Sequence, residues 1–313
     1  MPPKVLVITG PTASGKTWLA VELAKRHNGE VVSADSMQIY RRMDIGTAKP
    51  TPQEMAGIPH HMIDVADPEE DFSVARYVDM AAACVKEIAG RNKLPILAGG
   101  TGLYIDSLLS GRTFAAFDAQ SPLRAGLEER LRVQGGAALL EELSKVDPAS
   151  AARLHPNDGK RIVRALEVWL TTGQTITQHN EQTQALPPRY DALTLMLDFA
   201  RREDMWDRID RRVDRMMADG LVQEVQALLD SGVPAKCTAM QAIGYKEIAA
   251  ALRGDGDLAA AAELVKLRSR QYAKRQRTWF RRSRTAKPLI WGTSPNFADT
   301  LQTSTAYLEE FGI

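Results

Sequence analysis

The sequence predicts an α/β protein with a parallel β-sheet and an inserted all-helical domain. Short apolar runs rich in β-branched residues alternate with helical segments through the first part of the chain. The alternation stops near Gly111, and helical segments alone follow until a strand-like run resumes at Ala192. Because strands that alternate with helices form parallel sheets, we expect an α/β core made of residues 1–111 and 191–313. Residues 112–190 are expected to form the helical insertion.

Each strand of the core is predicted by an apolar run, which is typical of strands covered by helices on both faces. The expected strands are residues 5–9, 30–33, 61–65, 94–98, 192–199 and 288–291. The expected helices are residues 18–26, 72–90, 202–230, 240–253 and 257–284, followed by a helical tail. Ser73 is the expected cap of the helix that follows it, and Gly220 is expected to break the helix that contains it.

The insertion opens with a helix-start signal, since Ser121 is a capping residue and Pro122 follows it in the first turn. Helices are expected to continue to about Gly173, with Asn157 or Asp158 capping the last of them. Residues 175–188 are polar and end in two prolines. We therefore expect a linker there.

Composition excludes several classes of protein. The chain has 313 residues, 44% hydrophobic and 25% charged, which is a globular composition and enough for about two domains. Cys84 and Cys237 are far apart, which excludes a disulfide scaffold or zinc finger and fits a reducing compartment. The sequence shows no signal peptide and no apolar run near the ~18 residues of a membrane span. We expect a soluble cytoplasmic protein.

A phosphate-binding loop follows the first strand. Residues 10–17, GPTASGKT, match the pattern G-x-x-x-x-G-K-[ST] and lie between a strand and a helix, which is the context the motif requires. The residues expected to bind a diphosphate are Gly10, Thr12, Ala13, Ser14, Gly15, Lys16 and Thr17. Backbone N–H groups and Lys16 supply positive charge, and the Thr17 hydroxyl is the expected Mg²⁺ ligand. This P-loop is typical of nucleotide-binding and ATP-binding proteins, so the core is predicted to be P-loop NTPase-like. A chance glycine-rich turn is the alternative.

The strand at residues 94–98 does not end in the carboxylate that a nucleotide hydrolase uses to hold Mg²⁺. It is followed by Gly99, Gly100, Thr101 and Gly102, which places a hydroxyl where a carboxylate is expected. This difference weakens the interpretation as a nucleotide hydrolase, although Asp35 could serve the metal. On sequence alone, Thr101 is either a functional hydroxyl or part of a tight glycine-rich turn.

Asp35 follows the second strand. The carboxyl ends of parallel strands face one crevice, so we expect Asp35 beside the bound phosphates as a base or metal ligand. A helix-capping aspartate is the alternative. Ser36 and Gln38 could form hydrogen bonds with a planar base.

A basic block lies near the end of the chain. Residues 264–298 contain ten lysines and arginines and no acid, whereas the whole chain has a net charge of +1. A local positive block of this kind suggests a polyanionic partner. We expect one charged stripe on the helix, formed by Lys266, Arg270, Lys274 and then Arg277 or Arg281, to contact nucleic acid. A solvated surface is the alternative, and Trp279, on another face with Tyr272, is expected in the core.

Two further groups have open interpretations. Arg208 and Arg212 are four residues apart and share a helix face, which on sequence alone favours a solvated basic surface. His60 and His61 could bind a metal, but no third ligand has suitable spacing. We interpret both histidines as structural.

Several stretches together resemble the bacterial tRNA dimethylallyltransferases, also called tRNA isopentenyltransferases. They are residues 10–17, DSMQIY at 35–40, DIGTAKP at 44–50, PHHMID at 59–64, GGTGLY at 99–104, KRIVRALE at 160–167 and QAIGYKE at 241–247. The resemblance runs from the phosphate loop to the basic helix. One departure is Lys160, where the family usually carries glutamine.

The resemblance implies an activity. The family transfers a dimethylallyl group from dimethylallyl diphosphate to N6 of the adenosine 3′-adjacent to the anticodon in a subset of tRNAs, with Mg²⁺ as cofactor. It implies four catalytic residues: Asp35, Thr101, Lys16 and Arg212. Asp35 would accept the N6 proton, Thr101 would donate to the bridging oxygen, and Lys16 and Arg212 would bind the diphosphate.

The resemblance also implies an RNA interface. The expected tRNA-binding residues are Asp35, Ser36, Met37, Gln38, Lys160, Arg161, Ile162, Val163, Arg164, Gln241, Gly244, Lys246, Lys274 and Arg277. The expected partners are the tRNA anticodon stem-loop and dimethylallyl diphosphate, with no membrane and no obligate protein partner, and the chain is expected to be a monomer. The alternatives are an isopentenyltransferase acting on free adenine nucleotide, a P-loop kinase and a non-catalytic RNA-binding protein.

Overall fold

The computed structural model describes residues 2–111, 114, 121–254 and 256–313, and within them a six-stranded sheet. The strands are β1 (Lys4–Thr9), β2 (Gly29–Ser33), β3 (His60–His61), β4 (Leu94–Gly99), β5 (Asp191–Phe199) and β6 (Lys287–Trp291). Their order is β3-β2-β4-β1-β5-β6, and every pairing is parallel. The predicted α/β class with a parallel sheet is confirmed.

Helices connect and cover the strands. They are α1 (Lys16–Arg26), α2 (Pro52–Met55), α3 (Val74–Gly90), α4 (Gly102–Ser110), α5 (Pro122–Val146), α6 (Pro148–Ala151), α7 (Gly159–Thr172), α8 (Ile176–Gln184), α9 (Arg202–Ala218), α10 (Leu221–Asp230), α11 (Tyr245–Arg253), α12 (Leu258–Phe280) and α13 (Phe297–Phe311). None of the helices in the described ranges is long and apolar enough to cross a membrane.

The chain divides into two compact units. The core unit runs up to Leu109 and resumes with Arg189–Ile313, and the insertion unit is Ser110–Pro188. In the core unit, β1 lies between β4 and β5, and its residues Val5 to Ile8 are fully buried. This burial explains why the sequence of β1 is continuously apolar rather than alternating.

The insertion unit has its own apolar core. Leu139 and Leu143 of α5 pack with Ile162 and Leu166 of α7, and all four side chains are buried. The expected start of the insertion at residue 112 lies outside the described residues. Asp158, one of the two expected caps, precedes α7, but its side chain forms no capping hydrogen bond with that helix.

Several local predictions were wrong. The expected linker at residues 175–188 contains α8, because Thr175 and Gln178 form a reciprocal capping box that starts a helix. The helix expected from residue 240 begins at Tyr245, after a 3₁₀ turn at Ala239–Gln241, and α12 ends at Phe280 rather than at residue 284. The expected cap Ser73 accepts a hydrogen bond from Arg76 N, and Gly220 separates α9 from α10, as predicted.

Candidate active site

The site lies at the carboxyl edge of the parallel sheet. The phosphate loop connects β1 to α1, Asp35 follows β2, and Thr101 follows β4. Since β1 and β2 both pair with β4, these three segments leave the sheet at neighbouring positions. This edge is where open parallel sheets bind ligands.

Backbone conformation sets the shape of the phosphate loop. Gly10 has φ +144° and Gly15 has φ +86°, which are conformations that favour glycine. A Cβ atom on Gly10 would lie 2.3 Å from the Leu197 carbonyl oxygen of the neighbouring strand. The glycine is therefore required both by its torsion angle and by the close approach of β5.

Side chains hold the carbonyl groups of the loop. The Lys16 ammonium donates to Gly10 O at 3.1 Å and to Pro11 O at 2.8 Å. Two side chains from elements far along the chain donate hydrogen bonds to the next carbonyl groups of the loop. Arg208 Nε donates to Ala13 O at 3.0 Å, and Trp291 Nε1 donates to Ser14 O at 2.8 Å. These bonds fix the orientation of the peptide groups, so the loop is organised before a ligand arrives.

Ser14 provides an independent sign of a ligand. Its side chain is fully buried, and its hydroxyl oxygen has no hydrogen-bond partner among the described residues. Buried polar groups in native proteins are normally paired, so an orphan group calls for a partner. An anionic oxygen seated in the loop would accept this hydroxyl.

Three of the predicted catalytic residues interact electrostatically. Burial, followed by the nearby Arg212 charge, lowers the pKa of Lys16 to about 7, while Asp35 opposes the shift. Burial also lowers the pKa of Arg212, while the carboxylates of Asp35 and Glu54 oppose that change. The structure thus brings Lys16, Asp35 and Arg212 together, two cations with one carboxylate. A diphosphate would relieve the repulsion between the two cations.

Thr101 belongs to the same cluster. Its hydroxyl oxygen accepts a hydrogen bond from Ser36 N at 3.0 Å, and its backbone N–H donates to Ala34 O at 3.0 Å. Asp35 lies between these two contacts in the sequence, and its carboxylate accepts from Met37 N at 2.9 Å. The turns after β2 and β4 are therefore joined by hydrogen bonds on both sides of Asp35.

Gln38 is engaged within the fold. Its Oε1 accepts from Ser33 Oγ at 2.9 Å, and its Nε2 donates to Ala48 O at 3.1 Å. The expected hydrogen bonds from Gln38 to a base would have to replace these contacts. In the structure, the residue joins the turn after β2 to the 44–50 loop.

The 44–50 loop has an anchor that sequence analysis missed. The Glu224 carboxylate on α10 accepts hydrogen bonds from the backbone N–H groups of Asp44, Ile45 and Gly46. The Tyr245 hydroxyl of α11 donates to the same carboxylate. No local signal marks Glu224, because its partners lie far away in the sequence.

The predicted basic stripe is largely neutralised within the fold. Lys266 forms an ion pair with Asp214 at 2.6 Å, and Arg270 pairs with Asp210 at 2.6 Å. The prediction of a free basic stripe therefore receives no support from these pairs. Residues 264–298 contain no acid themselves, but Asp210 and Asp214 of α9, together with Glu263 earlier on α12, supply the carboxylates.

Asp198, at the end of β5, neutralises the next two arginines. Arg277 lies 2.7 Å from Asp198 and Arg281 lies 2.8 Å from it, and the carboxylate is buried. Arg277 also donates to Phe199 O at 3.2 Å. The predicted tRNA contact of Arg277 thus receives no support from the geometry, whereas Lys274 is exposed and forms no ion pair with any described residue. Trp279 is 37% exposed rather than in the core, and its indole N–H donates to Asp106.

The predicted tRNA-binding residues of the insertion unit fall into three groups. The side chains of Ile162 and Val163 are buried in the apolar core of that unit, so the prediction that they contact tRNA does not fit their side chains. Arg164 pairs with the buried Glu167 at 2.7 Å. Lys160 and Arg161 are exposed at the start of α7.

The remaining predicted contacts flank the start of α11. Gln241 and Lys246 are exposed, whereas Gly244 is buried with φ +99°. His60 Nδ1 contacts Ile58 O, and His61 Nε2 contacts the buried Glu30 carboxylate. Both histidines therefore have partners within the fold, in agreement with their structural interpretation.

Comparisons with known proteins agree with the geometry. The sequence model of a family described as IPP transferase matches residues 38–283. The tRNA dimethylallyltransferase of Geobacter sulfurreducens is 49% identical over 300 residues, which cover 96% of this chain and 95% of that protein. The tRNA dimethylallyltransferase of Acetivibrio thermocellus is 45% identical over 312 residues, which cover 99% of this chain and 98% of that protein.

Solved structures of similar proteins extend the comparison. The tRNA isopentenylpyrophosphate transferase from Bacillus halodurans superposes with a TM-score of 0.71 at 41% identity, covering 98% of this chain and 97% of that one. A eukaryotic dimethylallyltransferase acting on tRNA superposes with a TM-score of 0.82 at 31% identity, covering 97% of this chain and 77% of that one. The predicted P-loop NTPase-like fold and the family resemblance are confirmed. The chain belongs to the IPP transferase family, which includes the tRNA dimethylallyltransferases.

Proposed function

We propose that this chain transfers the dimethylallyl group of dimethylallyl diphosphate to N6 of the adenosine 3′-adjacent to the anticodon in a subset of tRNAs. The products are N6-isopentenyladenosine and diphosphate. The observation that carries the proposal is the electrostatic cluster of Lys16, Asp35 and Arg212 beside the Thr101 hydroxyl. A base is thus placed next to a cradle for a diphosphate leaving group. Two relatives named tRNA dimethylallyltransferase, 49% and 45% identical to this chain, support the assignment.

Each residue of the cluster has a role in the proposed transfer. Lys16, Arg212 and the backbone N–H groups of the loop bind the diphosphate and stabilise the negative charge that grows as the carbon–oxygen bond breaks. The Thr101 hydroxyl donates a hydrogen bond to the departing bridging oxygen. Asp35 accepts the proton from N6 as the new nitrogen–carbon bond forms, because an amine conjugated with a purine ring is a poor nucleophile. The electron pair of the broken bond leaves with the diphosphate.

The donor set fits a magnesium ion held together with the diphosphate. Among the described residues, no group of three or more His, Cys, Asp or Glu side chains is placed so that it could hold a metal ion. Mg²⁺ usually takes few protein ligands and keeps water and phosphate oxygens, so the Thr17 hydroxyl would hold the ion together with the diphosphate and water, and the Asp35 carboxylate keeps its role as the base. When bound, the ion would neutralise charge on the diphosphate.

We propose the anticodon stem-loop of tRNA as the partner, bound in the cytoplasm by a monomer. The adenine has to leave its stack to reach Asp35, and a loop base costs less to unstack than a paired one. Lys160, Lys246 and Lys274 are exposed cations that could contact phosphates. Arg161 is also exposed, but it forms an ion pair with Asp158 at 3.0 Å.

The proposal is tested by the mass of the RNA product. The protein, Mg²⁺ and a stem-loop with adenosine 3′ of the anticodon are incubated with dimethylallyl diphosphate and, separately, with ATP. We expect a gain of one five-carbon unit with the prenyl donor only. A phosphate gain from ATP would indicate a kinase, prenylation of free AMP alone would indicate the nucleotide-specific enzyme, and RNA binding without any product would indicate a binding protein.

A further inference from the structure

Gln276 links the phosphate loop to the turn after β4, the two segments proposed to bind the prenyl diphosphate. Although it lies in the basic helix α12, its side chain is only 5% exposed. Its Oε1 accepts the backbone N–H of Thr12 in the phosphate loop at 2.8 Å, and its Nε2 donates to Gly100 O in the turn after β4 at 2.9 Å. One amide therefore bridges the loop after β1 and the turn that precedes Thr101.

The bridge is tightly packed. A Cβ atom on Gly100 would lie 2.1 Å from Gln276 Nε2, so the amide fits only against a glycine. Tyr272 lies one helical turn earlier on the same face, and its hydroxyl interacts with both Thr101 and Gln276. Burial raises the pKa of Tyr272 to about 12, and these two interactions oppose the rise. The buried face of α12 thus contacts both sides of the candidate site.

We propose that Gln276 is a positioning residue that fixes the phosphate loop relative to the Thr101 hydroxyl. The proposal rests on the proposed function, in which both groups act on one diphosphate. An amide suits this place because one end accepts while the other donates, which no apolar or carboxylate side chain can do. Gln276 does not act on the reacting atoms itself. It determines where the bound diphosphate lies relative to Thr101.

The first test is the variant Gln276→Met, which keeps the length of the side chain and removes both hydrogen bonds. We expect kcat for RNA prenylation to fall roughly 10–100-fold, the effect of misplacing reacting groups by about an ångström, with unchanged affinity for the stem-loop. Gln271→Met is the matched control, because Gln271 is exposed on the same helix. Among the described residues, its side chain forms a hydrogen bond with Arg268 only. The control should retain wild-type kcat, and wild-type kcat in Gln276→Met would overturn the proposal.

A double-variant cycle separates positioning from stability. If Gln276 acts through Thr101, then Thr101→Val should reduce kcat much less in the Gln276→Met background than in the wild type. Additive losses would mean a merely structural role and would overturn the proposal.

Gly100→Ala tests the same bridge without altering Gln276. The added methyl group displaces the amide, so this variant should reproduce the loss of kcat. If Gln276→Met does not fold, wild-type kcat in Gly100→Ala overturns the proposal by itself. A wild-type protein that transfers nothing would instead overturn the proposed function, and this role of Gln276 with it.

Discussion

The phosphate loop and the basic helix α12 differ in how much of their structure the local sequence determines. Gly10, Gly15 and Lys16 set the shape of the loop from within, and distant residues such as Arg208 and Gln276 add further hydrogen bonds. The cations of α12 lie close together in the sequence, but most of their partners belong to other elements: Asp210 and Asp214 on α9, and Asp198 on β5. Glu263, which also pairs with Lys266, is the exception on α12 itself. A run of like charges in a sequence therefore does not by itself indicate a free charged surface, because distant acids can neutralise it in the fold.

The difference divides α12 into two faces. One face is structural, since Arg277 and Arg281 enclose the buried Asp198 and Gln276 bridges the two loops. The other face is exposed and includes Lys274 and Arg275. Only the exposed face is available to a polyanion, whereas the structural face supports the donor site. Substitutions on the two faces should accordingly affect different properties of the protein.

The largest effect is expected inside the loop region, at Asp35. Asp35→Ala should lower kcat by about 10²–10⁴-fold, the usual contribution of a general base. The affinity for the donor diphosphate should change little, because Lys16 and the loop N–H groups carry that binding. Single-turnover prenylation with saturating stem-loop measures the chemical step, and an unchanged rate would remove Asp35 from the mechanism.

The second largest effect is expected where the basic helix meets the sheet. Asp198→Asn removes the charge that compensates Arg277 and Arg281, and breaking a buried ion pair in this way costs about 3–5 kcal/mol of unfolding free energy. Asp214→Asn is the control, because that carboxylate is 59% exposed and its pair with Lys266 is worth at most about 1 kcal/mol. Urea denaturation measures both variants. Equal, small losses would show that the buried pair does not stabilise α12.

A third prediction concerns the pH dependence of the loop. Since the pKa of Lys16 is lowered to about 7, the amine is charged below that pH and becomes neutral above it. A diphosphate binds the charged form better, so the affinity for the donor should fall by up to about tenfold per pH unit above pH 7. Titration calorimetry between pH 7 and pH 9 measures this. The arginine of Lys16→Arg keeps its charge over that range, so the donor affinity of this variant should not change with pH. A wild-type affinity that does not change with pH would contradict the lowered pKa of Lys16.

The features that sequence analysis predicted are those with local signals. β1 and the phosphate loop follow from contiguous residues, and so do the cap at Ser73 and the break at Gly220. The capping box of Thr175 and Gln178 was also a local signal, but the two prolines that follow it favoured a linker. The convergence of Lys16, Asp35 and Thr101 was predictable because parallel strands place their carboxyl ends at one edge.

The features that were missed depend on contacts between distant parts of the chain. Glu224 binds three backbone N–H groups of the 44–50 loop, and Gln276 bridges two loops, yet neither residue stands in a recognisable motif. Gln38 is a related case, because its residue type suggests base recognition while its actual partners are Ser33 and Ala48. Side-chain chemistry indicates what a residue can bind, and only the fold determines which of its partners is near.

The smallest predicted effect compares two lysines of the same helix. Lys274 is exposed without an ion-pair partner among the described residues, whereas Lys266 is paired with Asp214 and Glu263. If Lys274 neutralises one phosphate of the RNA, Lys274→Gln should reduce the slope of log K against log salt by about 0.7, the value for a single strand. Lys266→Gln should leave the slope unchanged, because its charge is already compensated. Binding of the anticodon stem-loop at several salt concentrations measures both slopes. Equal reductions of the slope would show that a lysine of α12 contacts RNA phosphates whether or not it has an ion-pair partner. No reduction in either variant would show that the exposed face of α12 does not bind the RNA.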